Sequence, residues 1–171
     1  MITLPAHTWL DRLGIPYERA SFPTSTEKGA AGVAHAFGWP ERRMVKTLIF
    51  ETAAGERALV MLGGDQSAVS GHLKKALGSR DVRMASAEAV VAATGYVIGS
   101  IPPFGWQPEG FRSFLEASLL AEPRLGVGTG QWGEEIFITP ADLVRASGAQ
   151  VVNLTDRERP LMAAEGAPEK P

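Results

Sequence analysis

The spacing of apolar positions changes several times along this chain, from the three-to-four-residue repeat of a helix to the short apolar runs of a strand. The helical repeat predicts short helices over residues 2–13, 27–37, 67–77, 87–93 and 141–147, and glycines that can end a helix follow at 14, 38, 78 and 95. Extended or strand-like segments are predicted over residues 16–22, 45–51, 57–62, 81–84, 111–115, 125–128, 135–138 and 150–154.

Local patterns refine the ends and faces of these helices. Thr24 followed by Glu27 matches a capping box and predicts that the second helix begins at Glu27, while Ser86 and Thr139 are candidate N-caps further along. The first helix would turn four apolar side chains toward the core: Leu4, Trp9, Leu10 and Leu13.

The order of these elements indicates the fold class. Segments 45–51 and 57–62, separated by a turn at Gly55, are typical of a hairpin, whereas other strands are separated by a helix. This mixture predicts one α+β (complex α/β) domain with a mixed central sheet and peripheral helices, formed by residues 1–156. Residues 157–171 are polar and contain proline, which predicts a flexible C-terminal tail.

Composition narrows the possible chemistry. The chain has 171 residues, 44% of them hydrophobic, and it has no cysteine, so disulfides, thiolate nucleophiles and cysteine metal sites are excluded. The histidines His7, His35 and His72 lack the HxxxH or carboxylate spacing of a metal site, and Gly63-Gly64-Asp65 lacks the lysine of a phosphate-binding loop. We therefore expect no metal and no cofactor.

The N-terminus and the charge bear on location and partners. The first residues lack a signal-peptide pattern and no apolar stretch approaches about 20 residues, so we expect a cytoplasmic protein with no membrane partner. The net charge of −2 gives no general attraction to nucleic acid. Basic residues still form local groups, which could be solvated surface or a patch for the end of a nucleic acid: Arg42, Arg43 and Lys46, then Lys74, Lys75, Arg80 and Arg83.

Lys46 lies inside an apolar strand-like run, MVKTLIFE, over residues 44–51. In a strand it shares a face with Leu48 and Phe50, and the alternate residues take the other face. A lysine in this position either extends to water or places its ammonium in a pocket, where it binds an oxygen.

A glycine- and proline-rich loop follows at residues 94–106, TGYVIGSIPPFGW. Glycine at position 99 allows a backbone to come close to a ligand, and Pro103 makes the turn rigid. Such a loop either forms a tight turn between strands or directs backbone N–H groups at one point, as ester hydrolysis requires when negative charge develops on the carbonyl oxygen.

Taken together, the lysine strand and the GxxxP loop resemble the YbaK and prolyl-tRNA synthetase editing-domain superfamily. Segments 29–36, 63–66, 127–130 and 138–143 also fall in the order typical of that family, so the resemblance covers roughly residues 15–154. It implies a free-standing, trans-acting aminoacyl-tRNA deacylase that binds the acceptor end of a mischarged tRNA and uses water to hydrolyse the ester. An aminoacyl-tRNA synthetase is a further candidate partner.

The resemblance also implies roles for individual residues. Lys46 would hold the aminoacyl ester or terminal ribose and Gly99 would bind the carbonyl, as the catalytic pair, while Glu116 corresponds to an acidic position that is often aspartate in relatives. The substrate-binding residues implied are Phe22, Ser100, Ile101, Pro103, Phe104, Gly128 and Thr129.

Within the loop, this chain departs from the family pattern, because it has GSIPP where relatives have a GGISP-type sequence. Ser100 and Pro102 add volume and so predict a pocket for a small amino acid, such as cysteine, alanine or serine, with tRNA-Pro as one candidate carrier. A non-catalytic module of the same fold, binding a small molecule or a nucleic-acid end, remains the alternative.

Overall fold

Two β-sheets form the framework of the molecule, whose computed structural model describes residues 2–156. The helices are α1 (Pro5–Leu13), α2 (Ala30–Phe37), α3 (Ser70–Leu77), α4 (Ala87–Thr94) and α5 (Pro140–Ser147). The strands are β1 (Glu18–Ser21), β2 (Lys46–Thr52), β3 (Arg57–Leu62), β4 (Val82–Met84), β5 (Arg112–Glu116), β6 (Leu125–Gly128), β7 (Glu134–Ile138) and β8 (Gln150–Val152). Short 3₁₀ segments occupy Glu41–Arg43 and Ala117–Ala121.

The larger sheet has five strands in the order β4-β2-β3-β5-β8 and is mixed. Strand β2 is antiparallel to β3 and β4, whereas β5 runs parallel to β3 and β8. A separate antiparallel sheet of three strands has the order β1-β7-β6. The predicted α+β class with a mixed sheet and peripheral helices is confirmed, and the hairpin around Gly55 is its β2–β3 unit.

Both faces of the larger sheet are covered. On one face Leu59 and Met61 of β3 pack toward the small sheet, α1, α4 and α5, in the main core. On the other face Val60 and Leu62 pack against α3. Strand β3 is therefore buried on both sides, which explains why it reads as an uninterrupted apolar run.

Most element ends agree with the local patterns. The Ser86 hydroxyl accepts the Ala89 N–H at 3.1 Å and the Thr139 hydroxyl accepts the Asp142 N–H at 3.2 Å, so both predicted caps are confirmed. The predicted start of α2 at Glu27 is wrong. Gly29 has a φ of 105°, which a helix cannot contain, so the helix begins after it, and no side chain caps that end.

The first helix also differs from its prediction, both in where it begins and in one side chain that was expected to face the core. It begins at Pro5, and Leu13 is 43% exposed although it was expected to face the core. Gly14 turns the chain in the left-handed conformation, and Ile15 bonds back to the Leu10 carbonyl and is buried in its place.

Within residues 2–156 no helix has the length and apolar character needed to cross a membrane. The predicted flexible tail, 157–171, lies outside the described residues.

Candidate active site

A cavity of about 220 Å³ opens where the two sheets meet. Met44 and Gly126 form a bridge there, and the Val45 N–H donates to the Gly126 carbonyl at 2.8 Å, which joins the start of β2 to β6. The N-terminal end of α2, the first half of β2, the 98–101 loop and the 128–135 segment form the walls. Its volume lies below the roughly 300–1,000 Å³ usual for ligand pockets.

Seven of the residues implied by the family resemblance line this cavity, although they come from distant parts of the chain: Phe22, Lys46, Gly99, Ser100, Ile101, Gly128 and Thr129. Pro103 and Phe104 do not line it, and their expected contact with substrate stays a prediction. The Phe104 side chain is 1% exposed and lies in the main core. Pro102, expected to narrow the pocket, is also buried elsewhere, and its carbonyl accepts the Trp106 indole N–H at 2.6 Å. The chain turns inward after Ile101.

Lys46 lies at the half-buried start of β2 and lines the cavity. Its Nζ donates a hydrogen bond to the backbone carbonyl of Gln66, in the turn that follows β3. Its strand neighbours Leu48 and Phe50 pack on the α3 side, as the alternation predicts. The ammonium is thus held at the cavity wall and does not extend freely into solvent.

Gly99 has a φ of 96°, and a Cβ placed on it would meet no atom within 4 Å, so the space beside it is open. Its N–H has no hydrogen-bond acceptor among the described residues, whereas the Ser100 N–H already donates to the Val97 carbonyl at 3.2 Å. Ile98, Gly99 and Ile101 thus line the cavity with N–H groups that have no acceptor among the described residues, and of these three Gly99 is the one shown to stand beside open space.

The glycines of the 128–130 segment allow two loops to pack closely. A Cβ on Gly128 would lie 3.1 Å from the Ser100 carbonyl oxygen, and one on Gly130 would lie 2.5 Å from the Tyr96 ring. The Gly130 N–H donates to the Ser100 carbonyl at 2.7 Å. These contacts fix the 98–101 loop against the small sheet and so define one wall of the cavity.

Thr47 adds polar groups that the sequence had not singled out. The Val45 N–H donates to the Gly126 carbonyl, and the Ile49 carbonyl accepts the Ala85 N–H, so the backbone groups of both residues face away from β3. Thr47 lies between them at the same alternation along the chain, so its backbone groups take the same direction. The N–H and C=O of Thr47 therefore point to the open edge beside the cavity. Its Oγ1 is buried and has no partner in the described part of the chain.

Two acidic residues line this cavity, Glu134 and Glu135, and both were missed from the sequence; Glu135 is the buried one of the two. Its side chain is 8% exposed, and burial, with no charged neighbour to offset it, raises the pKa of its carboxyl well above its usual range. A side chain on Gly126 would come within 3.3 Å of Glu135 Oε2 and 2.5 Å of Met44 Cε, so the glycine makes room for both. The signal for Glu135 was its place just after the glycine-rich 128–130 segment.

Glu116, expected at the acidic position of relatives, does not line the cavity. Its carboxylate accepts the Ser118 N–H at 2.9 Å and the Leu154 N–H at 2.7 Å. Burial acts to raise its pKa, but the hydrogen bonds from Ser118 and Leu154 outweigh burial and hold the pKa below its usual value. Glu116 thus stabilises the chain around β5 and β8.

The basic residues separate into two kinds. Arg42 pairs with Asp65 at 2.6 Å and Arg43 with Glu122 at 3.0 Å, so this group is largely used within the fold. Arg83 pairs with Glu51 at 3.0 Å. Within the two basic groups, Lys74, Lys75 and Arg80 are exposed and have no ion pair in the described part of the chain.

Trp132 stands at the cavity wall beside Phe22, whose ring meets it edge-on at 4.8 Å, with the Lys28 ammonium 4.1 Å from the indole centroid. Within residues 2–156 no group of three His, Asp or Glu side chains could hold a metal ion. The cavity therefore combines apolar walls with an ammonium, an available N–H and a buried carboxyl. That set suits a small ligand carrying both a carbonyl oxygen and a cationic nitrogen.

Comparison with known proteins gives a consistent picture. The model of the aminoacyl-tRNA editing domain matches residues 24–146. A protein of Enterococcus faecalis named as a candidate deacylase of Cys-tRNA(Pro) and Cys-tRNA(Cys), EbsC, is 26% identical over 145 residues, 84% of this chain and 88% of that protein. The proline–tRNA ligase of Pelobacter propionicus is 33% identical over 82 residues, 48% of this chain and 14% of the ligase. The crystal structure of a candidate trans-editing enzyme for prolyl-tRNA synthetase superposes with a TM-score of 0.80 at 27% identity, covering 91% of this chain and 99% of that chain.

Proposed function

The chain belongs to the aminoacyl-tRNA editing domain family, and from that premise we propose that its cavity binds the aminoacyl ester at the acceptor end of a mischarged tRNA and hydrolyses it. It is a hydrolase of the aminoacyl-tRNA ester bond, as are the relatives by their names. The observation that carries the proposal is the convergence of Lys46, Gly99 and Glu135 on one small cavity.

Lys46 and Gly99 would act on the oxygen atoms of the ester. The Lys46 ammonium can bind the carbonyl oxygen or a hydroxyl of the terminal ribose with N–H groups not used by Gln66. The Gly99 N–H can donate to the oxygen that becomes negatively charged when the carbonyl is attacked. Donors fixed in advance at such a point typically contribute about 3 kcal/mol each to the stability of the transition state.

Glu135 would bind the α-ammonium of the aminoacyl group. Its raised pKa reflects burial without a cation nearby, and the substrate brings a cation of the right charge to that place. Binding the amino group there and the carbonyl near Gly99 would orient the ester within the cavity. The ligand would thus supply the partner that this carboxyl lacks within residues 2–156.

Water is the attacking group in this proposal, because no hydroxyl at the cavity wall is bonded to a basic side chain in the described part of the chain: Ser100 and Thr129 donate to backbone carbonyls and Thr47 Oγ1 has no partner there. The water oxygen bonds to the carbonyl carbon, and the bond from that carbon to the ribose oxygen breaks. The ribose oxygen takes up a proton, so that the products are a free amino acid and a tRNA with its terminal hydroxyl restored.

The cavity favours a small amino acid. Its floor is filled by buried side chains, including Phe22, Val33 and Met44, and its volume is about 220 Å³. Cysteine, alanine and serine fit this description, and tRNA-Pro is the proposed carrier because of the similarity to part of a proline–tRNA ligase. Exclusion of larger residues would rest on overlap with these walls. We place the protein in the cytoplasm with the charged tRNA pool, and a synthetase is a proposed partner.

Deacylation of a panel of charged tRNAs tests the proposal, with Lys46→Met as the main variant because it keeps the aliphatic stem and removes the ammonium. We expect the wild type to hydrolyse at least one small aminoacyl-tRNA, and the variant to lose about 100-fold or more in kcat/KM. Thr139→Ala, which removes the cap of α5 away from the cavity, controls for a general loss of stability.

If no charged tRNA is hydrolysed faster than in buffer, the enzyme proposal fails and the non-catalytic binding module is favoured. Wild-type turnover by a folded Lys46→Met protein would remove Lys46 from the mechanism.

A further inference from the structure

Gln66 connects the cavity lysine to a buried network of hydrogen bonds, and we propose that it is a positioning residue that holds Lys46 for the reaction. This inference rests on the proposed function, since the role of Lys46 in hydrolysis is part of that proposal. Gln66 follows β3 in the chain, is 8% exposed and does not line the cavity itself.

The contacts of Gln66 are all directed inward. Its backbone carbonyl accepts the hydrogen bond from Lys46 Nζ. Its side-chain Oε1 accepts the Gly63 N–H at 2.8 Å, its Nε2 donates to Ser118 Oγ at 2.9 Å, and its own N–H donates to the Gly63 carbonyl at 2.9 Å. Both ends of the residue are thus fixed, so the carbonyl that faces Lys46 has little freedom to turn.

The turn that carries Gln66 is packed too closely to shift. A Cβ on Gly63 would lie 2.5 Å from Arg42 Cδ, and one on Gly64 would lie 2.5 Å from the Glu41 carbonyl oxygen and 2.7 Å from Ala30 Cβ. The two glycines therefore let this turn lie directly against the 41–43 segment and the first residue of α2. Of these two elements, the start of α2 also lines the cavity, at Ala30.

Beyond Gln66 the network continues to a buried charge. Ser118, which accepts from Gln66, donates its N–H to Glu116, and the other carboxylate oxygen of Glu116 accepts the Leu154 N–H. Glu116 is 1% exposed, and its hydrogen bonds lower its pKa, so it remains ionised and holds Ser118 in place. The contacts run without interruption from Lys46 through Gln66 and Ser118 to Glu116.

A carbonyl is a suitable anchor for a lysine that must act on a substrate. Lysine has a flexible stem, and fixing it on substrate binding would cost conformational entropy at that moment. A carboxylate anchor would neutralise the ammonium, whereas a backbone carbonyl takes one of its three N–H groups and leaves the charge and the remaining donors available. The anchor thus orders the side chain before substrate arrives without reducing its attraction for an ester oxygen.

The test combines turnover with a direct signal from the lysine. In Gln66→Ala we expect kcat/KM to fall by about 10- to 100-fold, the loss typical of a misplaced catalytic group. Ser118→Ala removes only the outer contact and should lose less, and Ser118→Thr, which keeps the hydroxyl, should recover activity. Thr139→Ala is the control for loss of stability, with melting temperatures measured for all variants.

Nitrogen-15 NMR of the lysine ammonium groups gives a readout independent of activity. In the wild type we expect the Lys46 N–H signal to be protected from solvent exchange, and in Gln66→Ala or Ser118→Ala we expect that protection to decrease. An unprotected Lys46 signal in the wild type, or unchanged kcat/KM in folded Gln66→Ala and Ser118→Ala, would overturn the proposal.

The outcomes also separate this proposal from the proposed function. A protected Lys46 signal together with full turnover in Lys46→Met would overturn the role of the lysine in hydrolysis, and the positioning role with it. An unprotected signal together with an inactive Lys46→Met protein would overturn only the positioning role of Gln66 and would leave the proposed function standing.

Discussion

Glu116 and Glu135 are both buried, yet their surroundings have opposite effects on them. Glu116 is 1% exposed and has backbone N–H donors on both oxygens, and its pKa lies below the usual value. Glu135 is 8% exposed and has burial as the only cause of a pKa well above the usual value. The comparison teaches that burial alone does not identify a functional carboxyl. Glu116 has its partners within the fold, whereas the Glu135 carboxyl has no hydrogen bond or ion pair among the described residues.

The largest expected effect is on stability, in Glu116→Ala. This change leaves the N–H groups of Ser118 and Leu154 without their charged acceptor, and we expect the free energy of unfolding to fall by about 3 kcal/mol. Urea denaturation measures it, with the exposed Glu109→Ala as a matched control. A loss no greater than that of the control would mean that the contacts of Glu116 contribute little, and the comparison would break.

The next effect is on activity, in Glu135→Gln. If the carboxylate binds the α-ammonium, we expect kcat/KM to fall by about 10- to 100-fold, as for the loss of a hydrogen bond to a charged group. Lactyl-tRNA, which replaces the ammonium of alanyl-tRNA with a hydroxyl of similar size, supplies the matched substrate. The wild type should prefer alanyl-tRNA, and the variant should discriminate much less between the two. Equal loss on both substrates would assign Glu135 a role other than binding the ammonium.

The smallest expected effect is the change with pH in what Glu116 and Glu135 each contribute to the stability of the fold. The lowered pKa of Glu116 stabilises the fold above its unfolded value of about 4.5, and this stability is lost as pH falls through the folded pKa. The raised pKa of Glu135 has the opposite sign, because its favourable contribution is present below about 4.5 and is lost as pH rises through the folded pKa.

The unfolding free energies of Glu116→Gln and Glu135→Gln, measured between acid and neutral pH, check the direction of both pH dependences in one experiment. At neutral pH Glu116→Gln should be less stable than the wild type and Glu135→Gln more stable, with each difference decreasing toward acid pH by no more than ~1.4 kcal/mol per pH unit. Differences of the same sign in both variants would contradict the assignment.

Much of the fold could be predicted from the sequence because its signals are local. The hairpin around Gly55, the caps at Ser86 and Thr139 and the glycine ends of the helices each depend on residues a few positions apart. The errors arose where a distant contact or a special backbone angle decided the outcome. Gly29 prevents α2 from beginning at Glu27, and Ile15 takes the core position expected for Leu13.

For the site, the sequence by itself determined the strand that carries Lys46, the loop that carries Gly99 and, through their order, the family. Only the tertiary structure decided which acidic residues line the cavity, why Phe104 does not line it, and what holds Lys46, because each depends on contacts between segments far apart in the chain. The physical reason is that the type of a residue limits the chemistry that it can perform. Folding supplies its burial and its hydrogen-bond partners, and these decide whether the residue performs that chemistry or stabilises the fold.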